Sequence, residues 1–230
     1  MHLHPTIAPE IFALRPDFTA LSISVTGAAN GPSDAASAAV IANAIEYFDA
    51  PWAEAHLESW REAYRAFGSK PNRFPSSAEA LRKRVLRDGV LRPTNAVVDI
   101  YNAISLRYVI PVGGEDARSY SGVPRLLRAT GDEPFATMAD GAPKTEMADA
   151  GEVIWADDAG VTCRRWNWRQ GPRTQLTETS QDMWFVLERL DPMPIEVLLQ
   201  AGQELVDELQ IRSLGLSVSM KQLDRESQDV

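Results

Sequence analysis

The chain has 230 residues, of which 44% are hydrophobic and 24% are charged, and its formal net charge at pH 7 is -9. This length and composition suit one globular domain, 1–230, that buries its core without covalent staples. An acidic chain disfavours a protein that coats DNA non-specifically, whereas a local basic patch still permits an RNA partner. The single cysteine, Cys163, excludes an internal disulfide framework and a zinc knuckle.

The first half of the chain predicts one strand followed by four helices. Phe18–Val25 alternates and is partly β-branched, as strands are. Capping residues, apolar periodicity and terminal glycines then mark the helices. They run from Ser33 or Asp34 to about Phe48, from Pro51 to Gly68, from Ser76 or Ser77 to Gly89, and from Thr94 to about Tyr108.

The second half consists of short apolar pieces separated by turns, which predicts antiparallel strands. Asp157–Gly160 is typical of a hairpin turn. Pro194 opens a last helix, and the polar segment 218–230 is expected to be flexible. The predicted fold class is α+β, with N-terminal helices followed by a largely antiparallel sheet and a C-terminal helix.

Targeting segments and conventional cofactor motifs are not visible. No stretch approaches the ~18 apolar residues of a membrane span, and the N-terminus lacks a secretory signal, so we expect a cytoplasmic protein with no membrane contact. The histidines are His2, His4 and His56, and neither HExxH nor a phosphate-binding glycine loop occurs. We expect no metal and no cofactor, and we expect Cys163 to pack as a small apolar residue.

The segment 157–179 concentrates two indoles and four guanidinium groups. They are Trp166, Trp168, Arg164, Arg165, Arg169 and Arg173. Guanidinium groups hold phosphates or carboxylates through paired hydrogen bonds and also stack on aromatic rings. Strand alternation predicts Arg165, Asn167 and Arg169 on one face and the tryptophans on the other. A purely structural strand pair with half-buried tryptophans explains the same pattern.

Two separated segments, Val98–Asp116 and Gly160–Glu188, resemble the amino-acid editing domain in the β subunit of bacterial phenylalanyl-tRNA synthetase, in its free-standing form. The resemblance covers roughly residues 95–188, and the preceding helices fit the free-standing relatives. It implies hydrolysis, in trans, of the ester between a wrong amino acid and its tRNA. Aminoacyl-tRNA is then the expected partner, with no DNA. The oligomeric state stays open, because Trp52 and Trp60 suit either a core helix or a dimer face.

Some positions of the family motif keep the family residue in this sequence, and one does not. Asn102 takes the place of the family's helical asparagine, Pro111 that of its proline and Asp116 that of its aspartate. Gly113 stands where the family has a histidine, which implies a wider pocket or a changed amino-acid preference. Glu188 is matched to a pocket glutamate.

The candidate site follows from these matches and from side-chain chemistry. Amides supply two donors and an acceptor that can fix a water, so Asn102 and Asn167 are the candidate catalytic residues. The candidate substrate-binding residues are Pro111, Gly113, Gly114, Arg165, Arg169, Trp168 and Glu188. Structural alternatives remain open: a helix-surface amide at Asn102, a plain turn at 111–114, and a bond from Asp116 to Arg118.

Three functions are compatible with the sequence. The first is a trans-acting aminoacyl-tRNA deacylase that works by positioning water, without metal or covalent nucleophile. The second is a non-catalytic module that binds tRNA or an amino acid, and the missing histidine favours it. The third is an enzyme acting on a small amino-acid derivative without RNA, which the acidic charge favours.

Overall fold

A computed structural model describes residues 3–139 and 141–228 and confirms the α+β class. Within those ranges the helices are α1 (Pro9–Leu14), α2 (Ala35–Glu46), α3 (Ala53–Ala66), α4 (Ser77–Asp88), α5 (Ala96–Tyr108) and α6 (Ile195–Arg212). The strands are β1 (Thr6–Ile7), β2 (Thr19–Thr26), β3 (Val112–Asp116), β4 (Arg125–Arg128), β5 (Pro134–Ala139), β6 (Ala142–Met147), β7 (Val153–Asp157), β8 (Gly160–Arg164), β9 (Arg169–Gln170), β10 (Asp182–Arg189) and β11 (Ser217–Leu223).

Two sheets organise the molecule. The first has the order β11-β2-β10-β3 and is antiparallel throughout. The second has the order β1-β4-β7-β8-β9, in which only the β1–β4 pair is parallel. Strands β5 and β6 form a separate antiparallel ribbon. Each helix within residues 3–139 and 141–228 is too short or too polar to span a bilayer.

Helices α4 and α5 begin and end close to the predicted residues. The Ser76 hydroxyl accepts a hydrogen bond from the Glu79 amide, and Gly89 closes α4 in the left-handed conformation. Asn95 caps α5 by accepting from the Val98 amide. These local hydrogen bonds satisfy helix-end groups, which is why short-range sequence signals locate the helices well.

Helix α5 is the central element that positions the site. Every residue of α5 is buried except Asn102 and Arg107, which are half-buried. The helix packs closely on β3, since a Cβ atom at Gly114 would lie 2.6 Å from Cε1 of Tyr101. Gly114 is therefore required for the approach of helix and strand.

The segment after β8 differs from the predicted strand. Residues 165–168 form a four-residue turn, here called the Arg–Trp turn, that joins β8 to β9. Arg165 and Trp166 have φ angles of 47° and 65°, so the backbone leaves the extended conformation. The predicted alternation of Arg165, Asn167 and Arg169 on one face is therefore wrong.

Tertiary contacts hold the Arg–Trp turn in this conformation. The Arg165 amide donates to Oε1 of Glu152 at 2.7 Å, and the Trp166 amide donates to the Val153 carbonyl at 2.6 Å. The Trp166 ring is fully buried, with ring centroids 5.2 Å from Trp60 and 5.1 Å from Phe18. Trp60 is thus a core residue.

Two further features of the second half can be compared with prediction. The hairpin at Asp157–Gly160 is confirmed, since these residues pair at the β7–β8 end. Residues 218–223 of the segment expected to be flexible pair with β2 as part of the edge strand β11. Its side chains are mostly exposed, backbone hydrogen bonds join it to β2, and Leu223 anchors its end in the core. Residues 229–230 lie outside the described ranges.

Candidate functional site

A cavity of about 260 Å³ lies where α4, α5 and the Arg–Trp turn meet both sheets. Its lining includes Asn102 from α5, Asn167 and Trp168 from the turn, and Glu188 from β10. The remaining lining residues are Ser77, Ala80, Leu81, Arg84, Tyr101, Val112, Gly113, Glu115, Trp155, Cys163, Trp166, Gln170 and Val186. Helix α5, which carries Asn102, and the Arg–Trp turn therefore line the same cavity.

Several predicted site residues lie beside the cavity without lining it. The Pro111 carbonyl accepts from the Glu188 amide at 3.0 Å, and the Gly114 carbonyl accepts from Nε2 of Gln170 at 3.0 Å. Arg165 and Arg169 stack on Trp168, with Cζ 4.8 Å and 5.8 Å from that ring. Pro111, Gly114, Arg165 and Arg169 therefore stabilise the residues that form the walls of the cavity.

Glu188 is at the centre of a hydrogen-bond network and is 1% exposed. Its Oε1 accepts from Nε1 of Trp155 at 3.0 Å, and its Oε2 accepts from Nδ2 of Asn167 at 2.8 Å. The Tyr64 hydroxyl donates to Oδ1 of Asn167 at 2.8 Å, which fixes the orientation of that amide. Burial raises the pKa of Glu188 to about 7, although the donors oppose the shift.

Asn102 is in a different environment from Asn167. It is half-buried, lines the cavity, and makes no side-chain hydrogen bond to any residue of 3–139 or 141–228. Its donors and acceptor are therefore available to a ligand or a water. The plain helix-surface amide is not what the structure shows, since Asn102 faces the cavity.

Glu115 is a cavity residue that sequence reasoning missed. It is 4% exposed, and burial raises its pKa to about 7, opposed by polar contacts from Thr174, Tyr120 and Gln170. Its Oε2 is buried and accepts no hydrogen bond of normal geometry in the described chain. Its position two residues after Gly113 on a strand was an available signal, because such residues share a face.

The sheet register explains how both glutamates enter the cavity. Gly113 pairs with Val186 and Glu115 pairs with Trp184, while the Glu188 amide bonds to Pro111 next to this register. Gly113 therefore lies between the two carboxylates on one sheet face and adds no side chain there. A Cβ atom at Gly113 would approach Cγ1 of Val186 to 3.3 Å.

Three of the four arginines in the segment 157–179 form ion pairs. Nε and Nη2 of Arg164 bond Glu152 at 2.7 Å and 2.6 Å, and Arg173 binds Asp157 through both terminal nitrogens. Arg165 bonds Asp149 at 2.9 Å and lies 3.9 Å from the centre of the Phe74 ring. These contacts indicate that the three arginines chiefly stabilise the structure around the Arg–Trp turn.

His56, Cys163 and Asp116 have structural environments. Nδ1 of His56 donates to the Val109 carbonyl at 2.9 Å, while Nε2 accepts from Trp60 and from the Leu190 amide, and burial lowers the His56 pKa to about 4. Burial raises the pKa of the Cys163 thiol, although that residue lines the cavity. Asp116 accepts from the Arg118 amide at 2.9 Å.

No group of three or more histidine, cysteine or carboxylate side chains suitable for a metal ion occurs among residues 3–139 and 141–228. Four cations near the cavity make no ion pair with a described carboxylate: Arg84, Arg169, Lys70 and Arg73. Lys70 and Arg73 line a second cleft with Phe74, whose ring centroid is 4.7 Å from that of Trp168. The lining of this basic cleft holds three cations, Lys70, Arg73 and Arg165, and two carboxylates, Asp149 and Glu152, and the cleft shares a wall with the cavity.

Comparison with known proteins places this geometry in a family. Residues 59–201 match the model of the B3/4 domain. Among solved structures, the chain is similar to an N-terminal fragment of the phenylalanyl-tRNA synthetase β subunit from Pyrococcus horikoshii, with a TM-score of 0.51 and 10% identity. No protein of curated function matches significantly.

The structural similarity covers 95% of this chain and 50% of the archaeal fragment, so the chain spans about half the length of that relative. At 10% identity the similarity shows the fold alone. The family model matches more than half of the chain. The chain therefore belongs to the B3/4 domain family and is a relative of the domain found in phenylalanyl-tRNA synthetase β subunits.

Proposed function

We propose that this protein hydrolyses, in trans, the ester bond between a wrong amino acid and its tRNA. The observation that carries the proposal is the cavity shared by Asn102 and Asn167, about 260 Å³ in volume and lined by polar groups and indole rings. A cavity of that size suits an aminoacyl group better than a folded nucleic acid. Phenylalanyl-tRNA synthetase, whose β subunit supplies the similar solved structure, itself acts on tRNA, which supports the choice of substrate.

The chemistry of the cavity fits ester hydrolysis without a covalent step. Aminoacyl esters are activated, so positioning a water and stabilising the developing oxyanion supply much of the rate. Asn102 offers an unengaged amide for this purpose, while Asn167 is held by Tyr64 and Glu188. Asn102 is thus the candidate for contacting water or the oxyanion, and Asn167 for positioning Glu188.

A partner carrying phosphates is supported by charge. Although the chain carries a net charge of -9, residues 63–78 contain three cations and no carboxylate. Two of them, Lys70 and Arg73, are exposed beside the cleft that adjoins the cavity. A tRNA end whose aminoacyl group enters the cavity is expected to place phosphates against this surface.

Incubating the purified protein with a panel of mischarged tRNAs tests the proposal. Release of free amino acid from at least one tRNA, faster than spontaneous hydrolysis, is the expected result. Variants Asn102→Ala and Glu196→Gln serve as the site change and the remote control, since Glu196 is exposed on α6. Indifference to every charged tRNA would reject the proposal.

A non-catalytic binding module is the second candidate. Both amide ends of Asn167 and both oxygens of Glu188 are already engaged within the protein, which favours recognition over turnover by these two residues. In the same assay this function predicts charged tRNA that stays charged and bound. Retention of the ester with saturable binding would select it over the deacylase.

A further inference from the structure

We propose that Glu115 is the general base that removes a proton from the water attacking the aminoacyl ester. This inference rests on the proposed function and names a further catalytic residue of the same site. Nothing in the sequence resemblance assigned a role to Glu115.

Glu115 lies in the wall of the cavity, where it can contact a bound water. Its side chain lines the cavity and is 4% exposed, and its strand register places it on the same sheet face as Gly113. Gly113 adds no side chain between Glu115 and Glu188, so the wall between them is formed by its pair partner Val186. A water in the cavity beside this wall would contact the Glu115 carboxylate.

Glu115 and Glu188 differ in their hydrogen bonds. Both oxygens of Glu188 accept strong donors, from Trp155 and Asn167. Oε2 of Glu115 accepts none of normal geometry among the described residues, although it is buried. Oε2 is shielded from solvent, so any acceptor capacity left for a water belongs to the rest of the Glu115 carboxylate, which lines the cavity and has polar contacts with Thr174, Tyr120 and Gln170.

The protonation states of Glu115 and its neighbours also suit a general base. Burial raises the pKa of Glu115 to about 7, opposed by the nearby hydrogen-bond donors and by Arg173. The titratable groups around it from other elements are Tyr101, Tyr120, Cys163 and Glu188, and burial raises the pKa of each. The phenols and the thiol are thus neutral near pH 7, and a base whose pKa is close to the working pH is well placed to accept a proton.

In the proposed step, water adds to the ester and Glu115 carries one of its protons to the leaving oxygen. The water oxygen attacks the ester carbonyl carbon while the Glu115 carboxylate takes one proton from that water. The tetrahedral intermediate then collapses, the bond from carbon to the ribose oxygen breaks, and the proton held by Glu115 goes to the leaving oxygen. The products are a free amino acid and an uncharged tRNA, and no other reactant is consumed.

The test uses the full chain and whichever mischarged tRNA it deacylates, between pH 5.5 and 8.5. For Glu115→Gln we expect kcat to fall about 10²-fold or more with KM changed little, and the decline in rate below neutral pH to disappear. In Glu115→Ala, added formate is expected to restore part of the rate by acting as the missing base. Glu196→Gln, the same change on exposed α6, is expected to behave as wild type.

Each outcome is decisive. A Glu115→Gln protein that keeps kcat, or that raises KM alone, overturns the general-base role while leaving deacylation established. Circular dichroism and tRNA binding check that each variant is folded. A wild-type protein that deacylates no tRNA rejects the proposed function, and the general base with it.

Discussion

Asn102 and Asn167 face one cavity but have different hydrogen-bond partners, and this difference separates their predicted effects. Asn102 is unengaged, so Asn102→Ala is expected to lower deacylation about 10²-fold without loss of stability. Asn167→Ala leaves Oε2 of Glu188 and the Tyr64 hydroxyl without their partner, so it is expected to lower both the rate and the free energy of unfolding, the latter by about 1–3 kcal/mol. Initial rates and urea unfolding measure the two effects. Full activity in both variants would remove the amides from the mechanism.

The buried carboxyl of Glu188 predicts a pH-dependent stability. Its pKa is raised from 4.5 to about 7 in the folded protein, so between these values the folded state holds more protons than the unfolded state. The stability contribution of this group therefore falls as pH rises from about 4.5 to about 7, by about 3 kcal/mol. Glu188→Gln is expected to remove the Glu188 share of the fall, as measured by urea unfolding at pH 5 and pH 8. The share of Glu115, whose pKa burial also raises to about 7, stays in both proteins.

His56 contributes with the opposite sign and must be separated in that measurement. Its pKa is lowered to about 4, so its contribution is present above pH 6.5 and is lost as pH falls towards 4. The difference between wild type and Glu188→Gln cancels this contribution, since both proteins keep His56. An identical pH dependence in the two proteins would show that Glu188 does not titrate as its burial predicts.

At the scale of elements, the packing of α5 on β3 depends on Gly114. A methyl group there would lie 2.6 Å from Cε1 of Tyr101 and 3.0 Å from Cε1 of Phe185, both parts of buried rings. Gly114→Ala is therefore expected to cost about 1–3 kcal/mol of unfolding free energy. The matched control is Gly31→Ala, because a Cβ atom at Gly31 meets nothing within 4 Å. Equal denaturation midpoints for the two variants would contradict this account of the close contact.

The elements also show which structure short-range patterns can predict. Helices α4 and α5 were located from Ser76, Gly89 and the apolar period, because their end groups are satisfied by neighbouring residues. The Arg–Trp turn is not predicted by such patterns, because Arg165 and Trp166 adopt the left-handed conformation, which non-glycine residues rarely adopt without support from tertiary contacts. Glu152 and the indole core impose it from distant parts of the chain, which no local pattern records.

The candidate site was predictable to a similar degree. Asn102, Gly113 and Glu188 entered through a family resemblance, and the structure brings them to one cavity. Glu115 is not predicted as a site residue, because a glutamate beside an aspartate in a sequence is typical of an exposed loop. Only the register of β3 on β10 shows that this glutamate shares a sheet face with Gly113.

At the scale of the whole molecule, the charge distribution predicts where the proposed tRNA partner would contact this acidic protein. Lys70 and Arg73 form no ion pair with described carboxylates and lie beside a cleft that shares the Phe74–Trp168 wall with the cavity. Each phosphate contact releases counterions, so affinity depends on salt. The double variant Lys70→Glu and Arg73→Glu is expected to weaken tRNA binding about 10-fold or more at low salt. It is also expected to reduce the slope of log Kd against log salt by about 2.

The control must change the net charge equally, so that local contact is separated from the overall field of the protein. Lys221 on β11 and the nearby Arg225 are exposed cations, and neither makes an ion pair with a described carboxylate. Lys221→Glu with Arg225→Glu adds the same charge at a different place in the fold, and tRNA affinity is expected to stay within about 2-fold of wild type. If both double variants weaken binding equally, the net charge of the molecule governs association and the basic cleft has no specific role. If only the first does, the tRNA end approaches the cavity across Lys70 and Arg73.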